Sequence, residues 1–211
     1  MFITFEGPEG SGKTSQIPSL AEFLREQGFR IFTTREPGGT VIGEQIRNVL
    51  TNLENTSMSP RTEIMLFLAA RAQLVEQCIR PQLEQGGIVI SDRYADATLA
   101  YQGYGHGTDL DTLRGLLDFA TGKLYPDLTI LLDLSPEQGL QRKRSGGEWN
   151  RLDAYEIAFH QRVWQGYHEL ARLEPQRWVV IDASQSFDAV QQEIRQVVVQ
   201  RAAGRAFLKN A

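Results

Sequence analysis

The chain alternates between short runs of apolar, β-branched residues and longer stretches whose apolar positions recur every three or four residues. The first pattern marks buried strands and the second marks amphipathic helices. Met1 to Phe5 reads as a strand and Gly7 to Thr14 as a glycine-rich turn. Ser15 to Arg25 then carries Ile17, Leu20, Ala21 and Leu24 at helical spacing. Pro18 suits this helix only within its first turn. Phe29 to Thr34 predicts a second strand, and Arg35 to Val41, with Pro37, Gly38 and Gly39, a loop. Gly43 to Leu53 predicts a helix. A polar linker ends at Pro60, and Thr62 to Leu83 follows as a long helix with Pro81 near its end.

Ile88 to Ile90 reads as a central strand with Ser91, Asp92 and Arg93 at its carboxyl edge. A mixed segment runs to Gly107, and a helix spans about Leu110 to Ala120. Leu128 to Leu134 is a further strand. Pro136 starts a helix that meets a basic, glycine-containing stretch, Arg142 to Arg151. That stretch breaks the regular pattern and is a candidate mobile lid, at about 142–152. Ala154 to Leu173 predicts a helix, Trp178 to Ile181 a strand, and Phe187 to Arg201 a last helix. Five short strands alternating with helices predict an α/β three-layer sandwich. Its sheet is mostly parallel, with helices on both faces. The 211 residues suit one domain that includes the lid.

Composition narrows the partners. The net charge is -4, from 22 basic and 26 acidic residues. That balance argues against a protein living on nucleic-acid backbone. Cys78 is the only cysteine, which excludes an intrachain disulfide and a cysteine-rich zinc site. His106, His160 and His168 show no metal spacing, and Trp149, Trp164 and Trp178 read as packing residues. The apolar runs are far below membrane-spanning length, and no signal peptide is evident, so a cytoplasmic protein is expected.

The chemistry starts at Gly7-Pro8-Glu9-Gly10-Ser11-Gly12-Lys13-Thr14, which fits the pattern G-x-x-x-x-G-K-[ST]. The glycines let successive N–H groups curl inward, where they and the following helix terminus stabilise phosphate oxygens. Lys13 reaches the β and γ phosphates, and Thr14 offers a hydroxyl to Mg²⁺. A nucleoside-triphosphate site on a P-loop fold is therefore expected. The motif leaves ATPase, GTPase and kinase open. No Asn-Lys-x-Asp guanine-reading segment is present.

A kinase needs a second set of anion contacts, and candidates exist. Asp92 and Arg93 follow a buried strand, where sites of open α/β sheets collect. Asp92 suits a magnesium site and Arg93 a phosphate clamp. Arg35 leaves the second strand into the Pro-Gly-Gly loop and is a second phosphate contact. Phe67 and Arg71 lie four apart and share a helix face, where a base stacks on one and meets the other. Tyr101 and Gln102 border the same pocket. Arg142, Lys143, Arg144 and Arg151 flank Gly146-Gly147 and would place positive charge over the transferring phosphoryl group.

Taken together, these segments resemble the bacterial thymidylate kinase family. The resemblance covers nearly the whole chain. It rests on Phe5-Glu6-Gly7 through Thr14, Arg35-Glu36-Pro37-Gly38-Gly39-Thr40, Leu66 to Arg71, Asp92-Arg93-Tyr94, Ala100-Tyr101-Gln102-Gly103 and Tyr125 to Thr129. It implies transfer of the γ-phosphoryl group of ATP to dTMP with Mg²⁺, and a homodimer. Phe67 would stack on thymine and Arg71 would contact its carbonyl edge. Arg93 and Arg35 would bind the dTMP phosphate, with Asp92 close to that phosphate and the magnesium. Glu9 would approach the deoxyribose 3′-hydroxyl, and Thr98 and Gln102 would line the thymine pocket. The phosphate loop holds no basic residue at its variable positions, so the family's lid-arginine arrangement is implied. Arg144 is first for the transition-state cation, then Arg142, then Arg151. Another nucleoside-monophosphate kinase on this fold is the nearest alternative, and a regulatory or nucleic-acid-associated P-loop ATPase the more distant one.

Overall fold

The computed structural model describes residues 1–146 and 149–209. Five strands form one sheet: β1 (Phe2–Glu6), β2 (Ile31–Arg35), β3 (Ile88–Asp92), β4 (Leu128–Asp133) and β5 (Trp178–Asp182). Their order is β2-β3-β1-β4-β5. Every pairing is parallel, so the sheet goes beyond the mostly parallel expectation.

Side chains alternate across this sheet, and the alternation assigns its two faces. Ile3 and Phe5 of β1, with Ile88, Ile90, Ile130 and Leu132, pack on one side against Ile17, Leu20 and Leu24 of α1 (Lys13–Glu26). Val190, Ile194 and Val198 of the last helix, Phe187–Lys209, cover the same side. Phe2, Val89, Leu131 and Trp178 point the other way. They pack with residues of the helices Pro60–Leu74, Leu110–Thr121 and Ile157–Leu173. By the same parity Glu6 belongs to this second face, where it is wholly buried.

The helices, numbered in order, are α2 (Val41–Thr51), α3 (Pro60–Leu74), α4 (Arg80–Glu84), α5 (Ala95–Thr98), α6 (Leu110–Thr121), α7 (Pro136–Gly146), α8 (Ile157–Leu173) and α9 (Phe187–Lys209). Several differ from the sequence pattern for local reasons. Because α1 starts at Lys13, Pro18 lies past the first turn, on an exposed face. It cannot donate to the carbonyl of Thr14. The α2 helix starts before Gly43 because the Thr40 hydroxyl caps it, accepting from Gly43 N at 2.9 Å. Thr62 to Leu83 is one continuous helical path, but Val75–Ile79 widens into a π turn between α3 and α4. Pro81 has no N–H for the carbonyl of Gln77, and the widened turn lies just before it. The mixed segment before Gly107 is helical too, with α5 running into a π-helical stretch, Leu99–Gly105. Residues 142–146, read as mobile lid, are the last turn of α7.

Candidate active site

The carboxyl ends of β1, β2 and β3 meet at one level, since Phe5 pairs with Asp92 and Asp92 with Arg35. Two main-chain bonds continue this register beyond the strands. Arg93 N donates to Phe5 O and Glu36 N to Asp92 O, both at 2.9 Å. The phosphate loop, the Asp92-Arg93 pair and the Glu36-Pro37 turn therefore open onto one crevice, a cavity of about 550 Å³. Glu9, Gly10, Lys13, Thr14, Arg35, Phe67, Arg71, Asp92, Arg93, Thr98, Tyr101 and Gln102 all line it.

The loop between β1 and α1 takes its shape from glycine. Gly10 has φ +69°, and a Cβ there would strike the carbonyl of Gly139 on α7. The converse clash meets a Cβ on Gly139 from Glu9 O, so loop and α7 touch backbone to backbone. Gly12 takes a left-handed conformation as the cap of α1. The Lys13 ammonium donates to Gly7 O at 3.0 Å, Pro8 O at 2.8 Å and Ser11 Oγ at 3.1 Å. Burial, reinforced by the charge of Arg93, lowers Lys13 to about 8. The exposed Thr14 hydroxyl donates to Asp92 Oδ2 at 3.0 Å. One hydroxyl and one carboxylate thus stand together where the loop meets β3.

Arg93 sits at the centre. Its φ is +69°, the left-handed region that a side chain avoids. Nη2 donates to Glu9 Oε1 and to Tyr101 OH, and Nη1 to Tyr167 OH, each at 3.0 Å. Its guanidinium lies over the Tyr101 ring. Glu9 in turn accepts from Tyr101 OH at 2.5 Å, and its second oxygen lies 3.4 Å from His160 Nδ1. Burial alone would raise the Glu9 carboxyl, but His160, Arg93 and Tyr101 together hold it well below the usual carboxylate range.

The cavity is also lined by Phe67, half-buried on α3, and Arg71 one turn later. Arg71 is 1% exposed. It bonds Glu36 Oε2 at 2.7 Å, Thr98 Oγ1 at 2.9 Å and the carbonyl of Tyr94 at 3.1 Å. Gln102 donates to Glu63 at 2.7 Å. Arg35 lies at the rim, half-exposed and paired with Glu44 at 2.9 Å.

The basic segment after α7 divides. Arg142 donates to the carbonyl of Ala183 at 3.0 Å. Arg144 is exposed, with its guanidinium 5.2 Å from the Trp149 ring centre. Arg151 is buried, donating to Leu50 O and Tyr155 OH at 2.8 Å and to Glu63 at 2.5 Å. None of these three lines the cavity, whereas Lys143 does, beside Asn150 and Asp153. Gly147, the second glycine of the predicted lid, lies outside the described residues.

Several residues of this network carry no local sequence signal. Glu6 receives Tyr94 N at 2.8 Å and Tyr167 OH at 2.9 Å. Burial, with the charge of Asp96, pushes its carboxyl up to about 8 against the pull of Arg93. His160 and Tyr167 stand seven apart on α8, a spacing that puts both on one helix face. Glu63 gathers Gln102, Arg151 and Tyr155, with His106 at 3.4 Å, and these partners bring it down to about 2 despite burial. Trp164, read as packing, donates to Asp133 at 2.7 Å.

Comparison with known proteins adds an independent line. The family model described as thymidylate kinase matches residues 5–194. A thymidylate kinase of Roseiflexus sp. (strain RS-1) is 53% identical over 210 residues, covering 94% of this chain and 93% of its own length. One from Thermomicrobium roseum is 55% identical over 184 residues, covering 87% of each chain. The crystal structure of thymidylate kinase from Ehrlichia chaffeensis superposes with a TM-score of 0.76 at 35% identity. The match covers 94% of this chain and 98% of that one.

Proposed function

The chain belongs to the thymidylate kinase family, and on that premise we propose how its residues divide the reaction ATP + dTMP → ADP + dTDP, a step of nucleotide biosynthesis. One observation carries the proposal. A single cavity is lined by the phosphate-loop residues Glu9, Gly10, Lys13 and Thr14, by Phe67 and Arg71, and by Arg93, which bonds Glu9 of the loop. Donor and acceptor phosphates placed against these groups face each other.

The main-chain N–H groups of the Gly7–Thr14 loop, all but that of Pro8, which has none, hold the ATP phosphates, and Lys13 exchanges loop carbonyls for oxygens of the β and γ groups. Gly7, Pro8, Ser11 and Gly12 shape the loop, while Glu9, Gly10, Lys13 and Thr14 face the cavity. Thr14 and Asp92 present hard oxygens 3.0 Å apart and would hold Mg²⁺. Mg²⁺ keeps most of its ligands as water and phosphate oxygens. That habit agrees with the absence, among the described residues, of any cluster of three or more His, Cys, Asp or Glu able to hold a metal. Bound there, Mg²⁺ neutralises phosphate charge.

On the acceptor side Phe67 stacks on thymine, Arg71 donates to a base carbonyl, and Thr98 and Gln102 close the pocket. Glu36, Thr98 and Tyr94 fix Arg71 in advance, so little side-chain freedom is lost on binding. Arg93, with Arg35 at the rim, holds the dTMP phosphate, while Glu9 and Tyr101 meet the sugar. A phosphate monoester's second pKa is about 6, so the attacking oxygen needs no general base near neutral pH. Positioning and charge neutralisation supply the rate.

The 142–152 segment acts as lid within one P-loop domain. Arg144 is the transition-state cation, because Arg142 is engaged with Ala183 and Arg151 with Glu63. Arg144→Ala then lowers kcat about 100-fold while changing KM for dTMP less than about threefold, as loss of a group acting in the transition state demands. A raised KM with normal kcat transfers that role to another lid cation. No helix among the described residues is long and apolar enough to cross a membrane. We place the enzyme in the cytoplasm as a homodimer, as the family resemblance implies. Turnover across a panel of monophosphates tests the assignment. The expected result is dTMP used fastest, and faster use of AMP or CMP overturns it.

A further inference from the structure

We propose that Glu6 and Tyr167 are positioning residues, forming a buried relay that fixes Arg93 as the acceptor-phosphate clamp. The inference rests on the role assigned to Arg93 above. Neither Glu6 nor Tyr167 lines the cavity, and both are wholly buried. The relay has two arms from one carboxyl group. Glu6 Oε2 accepts from Tyr167 OH at 2.9 Å, and that hydroxyl accepts from Arg93 Nη1 at 3.0 Å. Glu6 Oε1 accepts at 2.8 Å from Tyr94 N, the amide following the left-handed Arg93. One arm therefore holds the guanidinium and the other holds the strained backbone that carries it.

The chemistry favours a functional reason for this carboxyl. Burying it is unfavourable, and burial pushes its pKa upward. Elsewhere β1 fills its buried positions with Phe2, Ile3, Thr4 and Phe5. A carboxyl group offers two acceptors to two donors on opposite sides, whereas an amide offers one oxygen acceptor. Glu9 and Tyr101, which hold the other nitrogen of Arg93, line the cavity and are free to exchange that contact for a ligand. Tyr167 does not line it, so the Nη1 bond persists as the anchor.

Thymidine and dTMP differ only by the phosphate, so their affinities separate a clamp defect from a general one. In Tyr167→Phe, Kd for dTMP rises about tenfold and kcat falls about tenfold, while Kd for thymidine stays within about twofold. Glu6→Gln gives the same phosphate-specific loss. Arg93→Met erases the preference for dTMP over thymidine, and adding Tyr167→Phe to it changes nothing further. Equal weakening of both ligands in Tyr167→Phe overturns the relay, as does unchanged dTMP binding in Tyr167→Phe and Glu6→Gln alike. An Arg93→Met enzyme that keeps its preference for dTMP overturns the clamp itself, and the relay with it.

Discussion

Lys13→Ala is expected to lower kcat about 1,000-fold and leave the fold intact. Removing one preorganised electrostatic contact to a developing charge costs about 100- to 1,000-fold, and Lys13 is a full cation in a dry loop. In the free protein its ammonium donates to the neutral oxygens of Gly7, Pro8 and Ser11. Burial lowers its pKa to about 8, below the value of an unfolded chain. A depressed lysine pKa means that the charged form opposes folding at neutral pH, so truncation removes a destabilising charge. Single-turnover rates and thermal melts check both halves. The expected outcome is a collapsed chemical step with a melting temperature no lower than that of the native sequence. A loss of activity that merely tracks unfolding would deny Lys13 its role.

Arg93→Met is expected to lower kcat/KM for dTMP about 1,000-fold. Its guanidinium is held by Glu9, Tyr101 and Tyr167 before any ligand arrives. The geometric cost of clamping a phosphate is therefore met in the fold, and a charge-assisted contact in such a site is strong. Here stability falls as well. Glu9 would keep Tyr101 and the nearby His160 but lose its cation, and breaking a buried pair destabilises by about 3 kcal/mol. Kinetics measured well below the melting temperature separate the two effects. A variant with normal kcat/KM for dTMP would place the phosphate elsewhere.

The parts legible in the sequence were those whose spacing is local. Gly7 to Thr14 reads as a phosphate loop because one strand, one turn and one helix contain it. Phe67 and Arg71 read as neighbours because helical geometry puts them there, though their ligand came from family resemblance. The network around Arg93 was not legible, since Glu6, Tyr94, Tyr101 and Tyr167 come together only when β1, β3 and α8 pack. Strand parity assigns Glu6 to the α8 face and the seven-residue spacing pairs His160 with Tyr167, but neither reveals the contact across the sheet. The basic run from Arg142 to Arg151 looked uniform. The fold separates it by partner, with Ala183 taking Arg142, Trp149 lying beside Arg144 and Glu63 taking Arg151. The π turn at Val75–Ile79 gave no periodic sign, because it widens a helix without ending it, and the π-helical Leu99–Gly105 closes a helix with only four α-helical residues before it.

A crystal structure of the enzyme with dTMP, Mg²⁺ and a non-hydrolysable ATP analogue tests the central assignment most directly. The expected result has thymine stacked on Phe67 with its carbonyl edge toward Arg71. The dTMP phosphate lies on Arg93, facing a γ-phosphate held by Lys13. A base seated away from Phe67, or an acceptor phosphate without contact to Arg93, would contradict it.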